Sequence, residues 1–122
     1  MPKQRKIVAV VDDDPSMLRA TEDLLGACGF ATLVFGSAEE FLTRAAAAEI
    51  DCLLLDIHLG DVSGLDVRRR LKASRSSLPV IFMTALDDEG MRQQALDAGC
   101  IACLRKPFPA RQLIDAIAQA VS

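Results

Sequence analysis

Three aspartates, Asp12, Asp13 and Asp14, directly follow the apolar run 7–11, and a fourth, Asp56, follows the run 52–55. Thr84 closes the run 80–83, and Lys106 lies just past 101–104. If these runs are strands of one parallel sheet, their carboxyl ends bring Asp12, Asp13, Asp56, Thr84 and Lys106 to a single edge. Open α/β sheets bind ligands at that edge. Two carboxylates about 4 Å apart repel by roughly 4 kcal/mol at an effective dielectric near 20, so such a cluster needs a proton or a cation. Hard oxygen donors suit Mg²⁺ better than zinc. A divalent ion together with the Lys106 ammonium would cancel the repulsion that keeps a phosphate away, which makes Asp56 a suitable phosphoryl acceptor. Singly, each residue has an ordinary role: acids cap helices, threonine ends strands, and lysine before proline sits in turns. The weight lies in their convergence.

The elements that must position these residues are legible from apolar periodicity. Runs 7–11, 52–55 and 80–83 are short and nearly unbroken, as in parallel strands covered on both faces. Weaker runs at 31–35 and 101–104 make a set of five. Between them, Met17, Leu18, Thr21, Leu24, Leu25 and Cys28 fall on one helical face, as do Leu113, Ile114, Ile117 and Val121. Asp14 then Pro15 reads as N-cap and first helical residue, and Ser37 with Glu40 as a capping box. The third helix, about 65–73, has the weakest apolar stripe. Five β-α repeats with right-handed crossovers predict an α/β fold, a five-stranded parallel sheet with helices on both faces.

The chain has 122 residues, 51% hydrophobic and 25% charged, and this predicts one domain over 1–122 with a substantial core. A net charge of -3 gives no basic field to recruit nucleic acid. The local run Arg68, Arg69, Arg70 reads as a solvated helix face. The basic start is followed by an apolar run too short for an export signal or a membrane span, and four cysteines lack disulfide-framework spacing. A cytoplasmic location is expected.

Val10-Val11-Asp12-Asp13-Asp14, Leu53-Leu54-Leu55-Asp56, Met83-Thr84-Ala85 and Lys106-Pro107-Phe108 together resemble, in order and spacing, the signature of response-regulator receiver domains of the CheY-like superfamily. The likeness runs over essentially the whole chain. Ser37-Ala38-Glu39-Glu40-Phe41-Leu42 and Asp61-Val62-Ser63-Gly64-Leu65 are similar to receivers of the FixJ type, many of which precede a DNA-binding domain. The resemblance implies a flavodoxin-like strand order 2-1-3-4-5. It implies that Asp56 takes a phosphoryl group from the phosphohistidine of a sensor kinase or phosphotransfer protein. Asp13, Asp56 and the backbone carbonyl of His58 would bind Mg²⁺ or Mn²⁺, with Asp12 acting through water. Thr84 and Lys106 would hold the phosphoryl oxygens, and the Lys106-Pro107 bond is expected to be cis. His58 and Leu86 would occupy the positions that tune self-dephosphorylation. A downstream partner, or a second copy, would meet the surface of the fourth helix, fifth strand and fifth helix, for which Arg105, Met91 and Gln94 are candidates.

Two positions depart from the family pattern. Gly60 stands where receivers usually have proline, which predicts a more mobile loop around His58. Cys103 stands where they commonly carry Tyr or Phe, so no aromatic ring is there to report movement at Thr84. Two other readings compete. Cys100-Ile101-Ala102-Cys103 matches a C-x-x-C redox or zinc motif, although residues three apart on a strand point to opposite faces. A haloacid-dehalogenase-type magnesium phosphatase also uses an aspartate after an apolar strand, but expects a second aspartate where this chain has His58.

Overall fold

The computed structural model describes residues 5–44, 49–60, 62–73, 77–85 and 89–121. Along the chain run β1 (Ile7–Val11), α1 (Pro15–Ala27), β2 (Ala31–Phe35), α2 (Ala38–Arg44), β3 (Cys52–Asp56), β4 (His58–Leu59), β5 (Val62–Ser63), α3 (Gly64–Ala73), β6 (Val80–Thr84), α4 (Glu89–Asp97), β7 (Ala102–Arg105) and α5 (Ala110–Val121). Five strands form one parallel sheet in the order β2-β1-β3-β6-β7. Counted among themselves, these are 2-1-3-4-5, as expected.

The unbroken apolar runs are explained by two cores, one on each face. Successive strand residues alternate between them. Ala9, Val11, Leu53, Leu55, Val80 and Phe82 point to one side, where Phe41 of α2, Leu65 and Val67 of α3 and Ala95 of α4 cover them. Val8, Val10, Leu54, Ile81 and Met83 point to the other, against Leu25 of α1 and Leu113 and Ile117 of α5. A strand buried on both faces has no place for a polar residue until it leaves the sheet. The polar residues that matter are therefore concentrated at strand ends.

Local signals act as read. The Asp14 carboxylate accepts from the Ser16 and Met17 N–H groups, and Pro15 opens α1. Ser37 Oγ accepts from the Glu40 N–H at 3.0 Å, while Glu40 reaches back to the Gly36 N–H at 3.2 Å. The third helix forms despite its weak stripe. Cys28, grouped with the apolar face of α1, is instead exposed, because it forms the C-cap after the last helical turn.

A small antiparallel pair was not foreseen in the segment after β3. His58 pairs with Ser63 and Leu59 with Val62, so the loop carrying His58 is a built hairpin. Gly60 lies at its turn with φ +74°, a left-handed conformation that proline, held near -65°, does not reach. Glycine at this position suits the hairpin itself.

Candidate functional site

Asp12 leaves β1 buried, with its N–H donating to the Phe35 carbonyl of β2 and its Oδ1 accepting from the Asp14 N–H at 3.0 Å. Asp56 is the last residue of β3 and only 5% exposed. Its Oδ1 accepts from the backbone N–H of His58 at 2.9 Å. Lys106 follows β7 and is anchored by its own N–H to the Thr84 carbonyl at 2.7 Å. Its ammonium then spans both acids, 2.7 Å from Asp12 Oδ2 and 2.9 Å from Asp56 Oδ2. The Lys106-Pro107 bond is cis, as the resemblance implied.

Asp13 completes the acidic group. One carboxylate oxygen from each of Asp12, Asp13 and Asp56 lies within 4.8 Å of the others, with Asp13 exposed and the other two buried. Thr84 closes β6 beside them in sequence register and is itself buried. Four of the predicted side chains, Asp12, Asp13, Asp56 and Lys106, are thus brought together, and Thr84 ends the adjacent strand. His58 approaches Asp56 through its N–H, and its ring buries Nε2 without a hydrogen-bond partner among the described residues. Leu86 falls outside the described residues.

The charge balance explains what this site can hold. Burial disfavours an ionised Asp56, while hydrogen bonds from Lys106 and the His58 N–H and the Lys106 charge pull the other way. Asp12 adds to the repulsion, and the carboxyl of Asp56 ends above its ordinary value. Burial likewise disfavours the Lys106 ammonium, but hydrogen bonds to Asp12 and Asp56 outweigh it and hold its pKa above the usual lysine range. One ammonium serves two carboxylates and a third lies at the rim. A hard divalent cation therefore fits this all-oxygen donor set.

Gly64 was not recognised as part of this arrangement. It starts α3, and its N–H donates to the Ile57 carbonyl at 2.7 Å. A Cβ on Gly64 would collide with the Asp56 carbonyl oxygen and crowd Ile57 Cα. Only a residue without a side chain lets α3 begin against the end of β3. The available signal was a glycine at a helix start, where glycine is no strong helix former.

Two surface expectations change. Arg68, read with a solvated run, has its Nε and Nη1 buried. Of the three candidates on the fourth helix and fifth strand, Arg105 and Gln94 are exposed, whereas Met91 packs partly on the core.

Comparison with known proteins now places the chain. A family model described as the response regulator receiver domain matches residues 8–118. This chain belongs to the response-regulator receiver family. It is 35% identical over 121 residues to the response regulator protein TmoT of Ectopseudomonas mendocina, covering 99% of this chain and 55% of that protein. It is 37% identical over 116 residues to nodulation protein W of Bradyrhizobium diazoefficiens, covering 95% and 51%. The chain spans about half the length of such curated relatives. Among solved structures, FixJ-N superposes with a TM-score of 0.90 at 31% identity, covering 98% of this chain and 95% of that one. A receiver protein from Burkholderia phymatum gives 0.85 at 40% identity, covering 96% and 95%.

The competing readings gain no support. Asp56 ends the third strand in the sequence, not the first as a haloacid-dehalogenase nucleophile would. Cys100 precedes β7, so it and Cys103 both pack toward the same core and the argument from strand alternation does not apply. Burial, the largest cause for each, instead raises both thiols above the ordinary cysteine value, the reverse of a reactive redox pair. Among the described residues, no helix is long and apolar enough to cross a membrane.

Proposed function

We propose that this receiver accepts a phosphoryl group on Asp56 from the phosphohistidine of a sensor kinase or phosphotransfer protein. In the step, the P–N bond of the donor breaks as a P–O bond forms to an Asp56 carboxylate oxygen, and the imidazole leaves with the electron pair. The observation that carries this reading is Lys106 Nζ, held 2.7 Å from Asp12 and 2.9 Å from Asp56 although the partners are 94 and 50 residues away in sequence. A buried ammonium beside a carboxylate offers charge to an incoming phosphoryl oxygen.

Asp13, Asp56 and the His58 backbone carbonyl would hold Mg²⁺, or Mn²⁺, with Asp12 through water. Such an ion supplies positive charge that offsets the acids and the phosphoryl oxygens. The His58 N–H fixes the orientation of the Asp56 carboxylate, and the Thr84 hydroxyl donates to a phosphoryl oxygen once one is present. Contacts made by Thr84 and Lys106 then favour one of two arrangements of the α4, β7 and α5 surface, where a downstream partner or a second copy docks. The domain acts as a switch, with phosphorylation and dephosphorylation chemistry of its own, in the cytoplasm.

Acetyl phosphate with Mg²⁺ tests this directly. Mass spectrometry is expected to show one base-labile phosphoryl group per chain, lost in Asp56→Asn and suppressed by EDTA. Incorporation undiminished in Asp56→Asn would remove the assignment. Rapid turnover of varied phosphoesters with no trapped species would favour a phosphatase.

A further inference from the structure

Gly60 opens the turn of the β4–β5 hairpin with φ +74°, and a Cβ added there would meet no atom of the described residues within 4 Å. A side chain at this position therefore acts through backbone conformation alone. Positive φ at the first turn residue belongs to the primed turns, whose twist matches that of the strands they join. Only two residues separate Leu59 from Val62, so the turn sets the register of both pairs, His58 with Ser63 and Leu59 with Val62.

That register decides where the His58 main chain points. In an antiparallel ladder, hydrogen-bonded pairs alternate with pairs that exchange no hydrogen bond. The Gly64 N–H donates to the Ile57 carbonyl at 2.7 Å, so that pair is a bonded one and the next, His58 with Ser63, is not. The N–H and C=O of His58 are thereby left outside the hairpin, on the side away from Ser63. The N–H is found there, donating to Asp56 Oδ1 at 2.9 Å. Within a strand the N–H and C=O of one residue share a side, which leaves the His58 carbonyl on the side of the Asp56 carboxylate. A slip of one residue would take both groups into the ladder and turn those of Leu59 out instead.

We propose that Gly60 is a positioning residue for the divalent ion, holding the hairpin in the register that presents the His58 carbonyl to the acidic site. This rests on the metal assignment given under the proposed function. Glycine enters the left-handed region at no steric cost and asparagine tolerates it, whereas a β-branched residue there is a genuine outlier. A proline fixes φ near about -65° and turns the chain by another route, so the role belongs to this glycine and not to receivers at large.

Mg²⁺ alone, titrated into the ¹⁵N-labelled protein at constant ionic strength, tests this without any phosphoryl donor. Saturable shifts are expected at the Asp13, Ile57 and His58 amides of the parent. Gly60→Val weakens Mg²⁺ binding by the folded protein about tenfold, the lower end for a residue that orients a metal ligand. Gly60→Ala, strained but still able to turn, loses less, and Gly60→Asn binds as the parent does. The order of Gly60→Ala and Gly60→Asn decides the matter even where Gly60→Val does not fold. If the turn served stability alone, urea midpoints would fall along this series while Mg²⁺ affinity stayed constant, and that result would overturn the proposal. So would a loss in Gly60→Asn equal to that in Gly60→Val, since side-chain bulk and not conformation would then be at work. Asp13→Asn separates the two readings. If it binds Mg²⁺ as the parent does, the metal assignment itself fails, whereas its loss of binding beside an unaffected Gly60→Val removes only the role of Gly60.

Discussion

Lys106 Nζ lies 2.7 Å from Asp12 Oδ2, joining the segment after the first strand to the segment after the last. The same ammonium reaches Asp56, so one side chain separates two carboxylates that would otherwise face each other under burial. Removing it leaves negative charge uncompensated in a site largely screened from water.

Lys106→Gln is therefore expected to lower unfolding stability at pH 7 by about 3 kcal/mol, the lower end for breaking a buried ion pair. Urea denaturation in EDTA measures this. The deficit is expected to narrow as the pH falls and Asp56 takes up a proton. A midpoint equal to the parent's would show that Lys106 is not balancing the two acids.

Asp56→Asn has the opposite sign. The folded carboxyl titrates above its ordinary 3.8, chiefly through burial. Between these two values the native state binds more protons than the unfolded chain, so stability falls as pH rises, and the full penalty persists above the folded value. The variant avoids that penalty and is expected to exceed the parent by roughly 1 kcal/mol at pH 7 in EDTA. Its advantage shrinks on acidification toward pH 4. An advantage that grew toward low pH would contradict the charge balance described for the site.

Gly64→Ala places a methyl group against the Asp56 carbonyl, a backbone atom that no rotamer change relieves. A loss of about 1–3 kcal/mol is expected, as for other overpacked positions, with slower phosphorylation by acetyl phosphate. Gly60→Ala is the control. It meets no atom of the described residues within 4 Å and suffers only the strain of its positive φ, about 1–2 kcal/mol, without moving Asp56. Equal phosphorylation rates in Gly64→Ala and the parent would show that the start of α3 does not set the position of Asp56.

The four cysteines are expected to separate by reactivity. At pH 8, the exposed Cys28 reacts first with a disulfide reagent. Burial, with a smaller push from Asp51, raises the Cys52 thiol to about 12, so it reacts only on unfolding. Cys100 and Cys103 are held above the ordinary thiol value and react slowly in between. A fast pair at Cys100 and Cys103 would reopen the redox reading.

Most of the fold was legible because parallel strands buried on both faces must be apolar throughout, and polar residues reappear only where such strands end. That single constraint located 7–11, 52–55 and 80–83, and with them Asp12, Asp13, Asp56 and Thr84, whereas Lys106 follows the weaker run 101–104. Helix starts at Asp14 and Ser37 were equally plain, since an N-cap is a contact between residues two or three apart. Sequence alone therefore determined the alternation of the five main strands with their helices, the strand ends and the residue types at one sheet edge. Tertiary structure decided the rest: that one ammonium is shared by Asp12 and Asp56, that Gly64 closes on the backbone of Asp56, that His58 sits in a hairpin, and that Arg68 turns inward beside α4. These depend on distances between segments far apart in the chain, which periodicity does not encode, because it records only which face of an element is covered and not what covers it.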